Sequence, residues 1–172
     1  MSNNIFLERT FDPPRSIADV RERVRKSDWC YITHRVDWRG SFLATNGRAM
    51  ICWFAATDME SVRNALRQSG AETPVLWSGT VHEAEDPPVP NVVVERSFPE
   101  PVTLTQVQAC MRAAQGCFEI HRVQFARRFV SLDGKRMLCL YRAPDAESVR
   151  IAQREAALPA DAVWTFDVLA PP

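Results

Sequence analysis

Residues 121–150 read HRVQFARRFVSLDGKRMLCLYRAPDAESVR, and residues 34–63 read HRVDWRGSFLATNGRAMICWFAATDMESVR. The two stretches align without a gap, and the register extends outward until Ile5–Val81 lies on Val92–Val168 at a constant offset of 87 residues. Glu8-Arg9-Thr10-Phe11 falls on Glu95-Arg96-Ser97-Phe98, and Trp77 falls on Trp164. Roughly two dozen identities in a single gapless register exceed what chance supplies, so the chain reads as an internal duplication. The intervening His82–Asn91 is acidic and rich in proline and reads as a surface linker, which sets the domains at residues 1–86 and 87–172.

Each half predicts the same series of elements. Ile5–Phe11 and Val92–Phe98 are rich in β-branched and aromatic residues and read as strands. Ser16 with Asp19, and Thr103 with Gln106, stand at cap and third-residue spacing before a helix, the second pair as a full capping box. Ile17, Val20 and Val24, like Leu104, Val107 and Met111, recur at i, i+3, i+7 and give that helix one face for burial. Asn46-Gly47 and Asp133-Gly134 then predict hairpins with type I′ turns. Asp58 and Asp145 cap a second helix, and a last short strand carries Trp77 or Trp164. The order β-α-β-β-α-β is the ferredoxin-like unit, so the predicted class is α+β. A unit of this size buries little surface alone, and two such units are expected to pair as an intramolecular pseudo-dimer.

Composition narrows the function. The chain has 172 residues, 46% of them hydrophobic, with 21 Lys+Arg against 21 Asp+Glu. That balance, without any basic run, argues against nucleic acid as a partner. No apolar stretch is long enough to span a membrane and no export signal is recognisable, which predicts a cytoplasmic protein. Five cysteines without a CxxC pair read as reduced thiols. P-loop, GxGxxG, HExxH and GxSxG motifs are lacking, so nothing in the sequence recommends nucleotide, zincin or serine-hydrolase chemistry.

The candidate chemistry lies in residues that both halves carry. His34 and His121 are two of only three histidines, and a two-fold axis between the halves would make them symmetric ligands for Ni, Zn or Cu. Their alternative is packing on the second strand beside Val36 and Trp38, or Val123 and Phe125. Glu8-Arg9 and Glu95-Arg96 interrupt apolar strands, where a charge has to be paired or face a cavity. Glu8 and Glu95 are therefore candidate metal ligands, with a structural Glu-Arg pair as the alternative. Alternation sets Glu8 and Arg9 on opposite faces without saying which is open. Trp38, Phe125, Trp77 and Trp164, with Arg9 and Arg96, are the candidate lining of a ligand pocket, and the same aromatics would serve equally to close a core. Cys52 and Cys139 lie in apolar surroundings that suit a small core residue better than a nucleophile.

The run Phe129–Arg150, with Val93–Pro99 upstream and Leu158-Pro159 and Val163-Trp164 downstream, resembles the bacterial family called domain of unknown function 4242, also named the nickel-binding protein type. The second half resembles it closely, and the first half more loosely, lacking the Ala-Pro that precedes the helix-capping Asp. The resemblance implies ferredoxin-like domains that dimerise, and nickel or another divalent transition metal as the bound cofactor. Three readings follow: a non-catalytic metal-binding protein using His34, His121, Glu8 and Glu95; a small-molecule binder or enzyme of the dimeric α/β-barrel type with a cavity between the sheets; or a protein-interaction module. The partners expected are a metal ion or a small molecule, and the pseudo-dimer itself is a candidate for homo-oligomerisation.

Overall fold

The computed structural model describes residues 2–72 and 75–171. Its elements run β1 (Asn3–Thr10), α1 (Ile17–Thr33), β2 (Asp37–Ala44), β3 (Ala49–Ala56), α2 (Met59–Gln68), β4 (Val75–Glu83), β5 (Val92–Ser97), α3 (Leu104–Ile120), β6 (Gln124–Ser131), β7 (Arg136–Arg142), α4 (Ala146–Glu155) and β8 (Ala162–Leu169). The β-α-β-β-α-β order thus occurs in each half, in an α+β, ferredoxin-like arrangement whose described strand pairs are all antiparallel. Two compact units result, Met1–Gly79 with Phe166–Pro172, and Thr80–Thr165. β4 and β8 each begin in one unit and end in the other, so His82 and Glu83 extend a strand where the sequence reads as linker.

In the first unit β1 lies between β3 and β4, and β2 pairs with β3 on one side and with residues 166–169 of β8 on the other. Ser16 caps α1 with a full capping box, because the side chain of Asp19 returns to the Ser16 amide at 3.0 Å. Asp58 caps α2 through the Ser61 amide at 2.7 Å. Ile5 and Leu7 of β1 join Leu43, Phe54, Val62 and Leu66 in the core beneath the helices. Phe6 points the other way, toward Trp77 at 4.5 Å between ring centroids.

The second unit repeats these devices. Thr103 and Gln106 form the capping box of α3, and Asp145 caps α4. Val92, Val94, Phe118, Tyr141, Val149 and Ala152 make its helix-side core.

The hairpins differ from the type I′ turns that Asn-Gly and Asp-Gly predict. Among the described non-glycine residues only Arg35, Arg122 and Ala157 have positive φ, so Asn46 and Asp133 do not adopt the I′ conformation. The Gly47 amide instead donates to Ala44 O at 2.7 Å, closing a turn that leaves only Gly47 left-handed, at φ 71°. Asn46 Oδ1 accepts the Arg48 amide at 3.0 Å, and Asp133 Oδ1 accepts that of Lys135 at the same distance. The Asx bond satisfies these amides in a loop two residues longer than a tight hairpin. Gly47 has a second reason to be glycine, since a Cβ there would lie 2.4 Å from the Arg15 carbonyl oxygen.

Candidate functional site

Antiparallel register gathers four side chains on the helix face of the first sheet. Arg9 stands opposite Met50, Leu7 opposite Cys52, and Cys52 in turn opposite Ser41. Because alternate residues share a face, Arg9, Met50, Cys52 and Ser41 form the floor of one space. Its roof is α1, which brings Val20, Val24 and Ser27 over the floor, Tyr31 at the far end and the charged Asp19, Glu22, Arg23 and Lys26 along the rim. Between floor and roof is a cavity of about 440 Å³. Trp38 and Phe54, directly opposite each other on β2 and β3, close its apolar end. Arg15 and Arg23 line the other end, which continues into a polar recess shared with Arg9.

The floor is electrostatically unusual. Nε of Arg9 is buried and has no hydrogen-bond partner among the described residues. Cys52 and Tyr31 lie near enough to feel the guanidinium, yet neither is a counter-ion at neutral pH. Burial pushes the Tyr31 phenol up to about 12, with Cys52 adding to the rise and Arg9 opposing it. Burial also raises the Cys52 thiol above its ordinary value against the pull of Arg9 and a hydrogen bond with Ser41. Ser41 is 1% exposed and accepts the Trp38 indole N–H at 3.0 Å. Of the nearby acids Asp19 is engaged with the Ser16 cap, Glu22 with Arg25 and Lys26, and Asp12 with Arg48, while the exposed Glu72 lines only the recess. The net demand of the cavity is for a negative group.

The corresponding space of the second unit is built differently. Arg96, at the position of Arg9, is 4% exposed and donates to Gln153 Oε1 at 2.7 Å and to the Pro159 carbonyl. Leu66 stands where Gln153 does, so the first unit offers Arg9 no such carboxamide, and Phe54 stands where Tyr141, a further neighbour of Arg96, does. The residue in register with Ser41 is Arg128, whose long buried side chain takes the place of a hydroxymethyl group. Small residues open the first cavity down to Arg9, a depth that Arg128 fills in the second unit, where the space along α3 does not reach Arg96.

The other predicted residues are distributed as follows. Glu8 faces away from the helices and accepts the Trp77 indole N–H at 2.7 Å, and Glu95 accepts that of Trp164 in the same way. Each pair joins diagonal neighbours on adjacent strands, which is why 69 residues separate both. His34 and His121 are C-cap residues of α1 and α3, three residues before β2 and β6 begin. His34 Nε2 lies 2.8 Å from Gln68 Oε1, and His121 Nε2 lies 2.8 Å from Glu155 Oε2. Phe125 lies under the Arg128 guanidinium, 4.8 Å from its ring centroid. Of the predicted pocket set, the cavity holds Arg9 and Trp38. Sequence reasoning missed Ser41 and Tyr31 among its polar members; their signal was that the halves part company there, Arg128 and Phe118 standing at the matching positions, whereas Cys52 carries no such signal because Cys139 matches it.

Residues 93–165 match the family model described as nickel responsive protein SCO4226-like. The crystal structure of SCO4226 from Streptomyces coelicolor A3(2) aligns at 19% identity over 42% of this chain and 90% of that one, with a TM-score of 0.39. TA0507, assigned as a chlorite dismutase, aligns over 98% of this chain and 95% of its own at 11% identity and a TM-score of 0.56. The chlorite dismutase of Candidatus Nitrospira defluvii in complex with imidazole covers 99% and 92% at 12% identity, with a TM-score of 0.52. At such identities the two chlorite dismutases show the fold alone. No curated protein matches the sequence.

Nickel can be tested against the donors present. Among the described residues no three His, Cys, Asp or Glu side chains converge as a metal centre requires. His121 and Glu155 supply two donors, and in the first unit the second of these is a carboxamide, Gln68. The donor set does not fit a preformed nickel centre. No helix among the described residues is long and apolar enough to cross a membrane.

Proposed function

We propose that the protein binds a small organic anion in the cavity of its first unit. The observation that carries this reading is the contrast at Arg9: a guanidinium with a buried, unpartnered Nε at the floor of an open space, where its counterpart Arg96 is hydrogen-bonded. Leaving a buried donor unsatisfied costs about 1–3 kcal/mol, a debt that a carboxylate can relieve. Charge-assisted bonds from a guanidinium are among the stronger ones available. The volume is within the range of small-molecule sites, and the walls of Trp38, Phe54 and Val24 suit an apolar body behind the anionic head. On this reading residues 1–86 and 87–172 are fused ferredoxin-like copies in a cytoplasmic pseudo-dimer, the first specialised by losing the partners of its arginine.

The test is calorimetric titration with 2-naphthoate and its uncharged analogue 2-naphthamide, following the Trp38 indole resonance in parallel. The carboxylate is expected to bind roughly tenfold or more tightly than the amide and to move Trp38. Arg9→Met is expected to abolish that preference at the Trp38 site. Equal affinities for the two compounds, or a Trp38 resonance that never moves, would refute the reading.

A second reading, nickel binding, rests on the family match over residues 93–165 and on the His121–Glu155 contact inside that segment. It uses His121 with Glu155 as its carboxylate and His34 as the matching donor of the first unit, whereas Glu8 and Glu95, also candidates, accept from Trp77 and Trp164. Titration with Ni²⁺ beside the His34→Ala/His121→Ala variant decides it: binding lost in the variant supports nickel, and binding that is absent or unchanged removes it.

A further inference from the structure

Arg128 is 4% exposed, and its Nε is buried without a hydrogen-bond partner among the described residues. Its cation lies over the Phe125 ring at 4.8 Å, which satisfies one face of the guanidinium but none of its N–H groups. No carboxylate among the described residues pairs with it. Two carboxylates line the same surface and both are engaged: Glu83 is held by Arg127, and Glu119 accepts from Gln115 at 2.8 Å. Yet Arg128 is not sealed in: it lines a groove of about 580 Å³ along α3, with Met111, Phe118 and Phe125 as apolar walls and Arg112, Gln108 and His82 at its polar edge. A buried cation is retained at a cost of several kcal/mol unless something neutralises it.

We propose that this groove is a second binding site, in the second unit, for a planar monocarboxylate whose carboxylate is gripped by the edge of the Arg128 guanidinium. The Phe125 ring holds the cation from one side at 4.8 Å and accepts none of its N–H groups, and a guanidinium's N–H fork is matched by two carboxylate oxygens. Met111 and Phe118 receive the apolar body, and Arg112 adds positive charge at the mouth. This site shares no residue with the Arg9 cavity, and its chemistry stands whether or not that cavity is occupied.

The probe is benzoate, with benzamide as the neutral control, followed at the Nε–Hε resonance of Arg128 in ¹⁵N-labelled wild-type protein. The resonance, assigned by its loss in Arg128→Met, is expected to shift saturably with benzoate and to stay in place with benzamide. Calorimetry of Arg128→Met should then show this binding event weakened roughly tenfold or more, while Arg9→Met retains it. A resonance that does not move, or that moves equally with both compounds, overturns the proposal. So does an Arg9→Met protein in which the Arg128 response disappears, because that would assign the event to the first unit. If Arg128→Met does not fold, Arg128→Lys, which keeps the charge but lacks the Nε–Hε group, assigns the resonance, and the wild-type protein then decides the matter.

Discussion

Arg9 and Arg96 occupy the same register position on β1 and β5, and their guanidinium groups have opposite surroundings: Arg96 donates to Gln153 and the Pro159 carbonyl, whereas Nε of Arg9 is buried with no partner among the described residues. Truncating them should have unequal consequences. Arg96→Met strands the Gln153 carboxamide oxygen and a carbonyl in a buried setting, and a loss of about 1–3 kcal/mol is expected. Arg9→Met removes an unsatisfied donor and leaves a flexible apolar chain over Cys52, so stability is expected to hold or rise. Urea midpoints of the two variants check this, and equal losses would show that Arg9 is as well partnered as Arg96.

That contrast marks where the sequence stops being legible. Caps are local chemistry, so Ser16, Asp58, Thr103 and Asp145 are readable from two or three neighbours, and alternation along β1 correctly divides Glu8 from Arg9. The cavity is not local. It depends on what stands opposite Arg9 across two strands and above it on α1, and Ser41 and Leu66 carry no mark of their own until they are set beside Arg128 and Gln153. The histidines sit in a turn that the sequence does not mark: Arg35 and Arg122 take φ of 54° and 55°, which stops each helix two residues before them and makes His34 and His121 caps instead of strand residues. The hairpin expectation failed for a related reason, since Asn46 and Asp133 use their side chains on backbone amides and do not need left-handed φ.

Backbone strain yields a matched set of tests. Gly47 and Gly70 share a φ near 70°, but a Cβ at Gly47 would strike the Arg15 carbonyl at 2.4 Å, whereas at Gly70 it would meet nothing within 4 Å. Gly70→Ala should cost about 1 kcal/mol, the ordinary penalty for a left-handed residue. Gly47→Ala should cost clearly more, because backbone must move. Ala157, in register with Gly70, already bears that penalty at φ 53°, so Ala157→Gly should stabilise by a few tenths to about 1 kcal/mol. Thermal or urea unfolding of the three variants tests the ordering, and a neutral Gly47→Ala would contradict it.

His82 supplies a pH dependence with a defined sign. Burial, and then the positive charge of Arg128, hold its pKa below the ordinary 6.5. The unfolded chain therefore binds more protons than the folded one between the two values, and stability rises with pH across that window. The contribution is present in full above 6.5 and is lost as pH falls toward the folded value. Arg128→Met removes the second cause and leaves the first, so the His82 titration should move up toward 6.5 and the slope should flatten. An NMR titration of the His82 ring in both proteins gives the answer; an unchanged midpoint would mean that Arg128 does not act on it.

Filling the first cavity without adding charge separates space from electrostatics. Ser41→Met puts a flexible apolar chain at the place that Arg128 takes in the other unit, directly over Cys52 and beside Trp38. The Trp38 indole loses its acceptor, which will cost some stability, but Arg9 and its charge stay in place. If an organic anion binds by inserting its body between α1 and the sheet, 2-naphthoate affinity should fall by roughly tenfold or more. Acetate, which needs only the guanidinium, should be affected much less. A variant that binds 2-naphthoate as well as the wild type would place the apolar body outside the cavity, with Arg9 reached from the polar recess shared with Arg15 and Arg23.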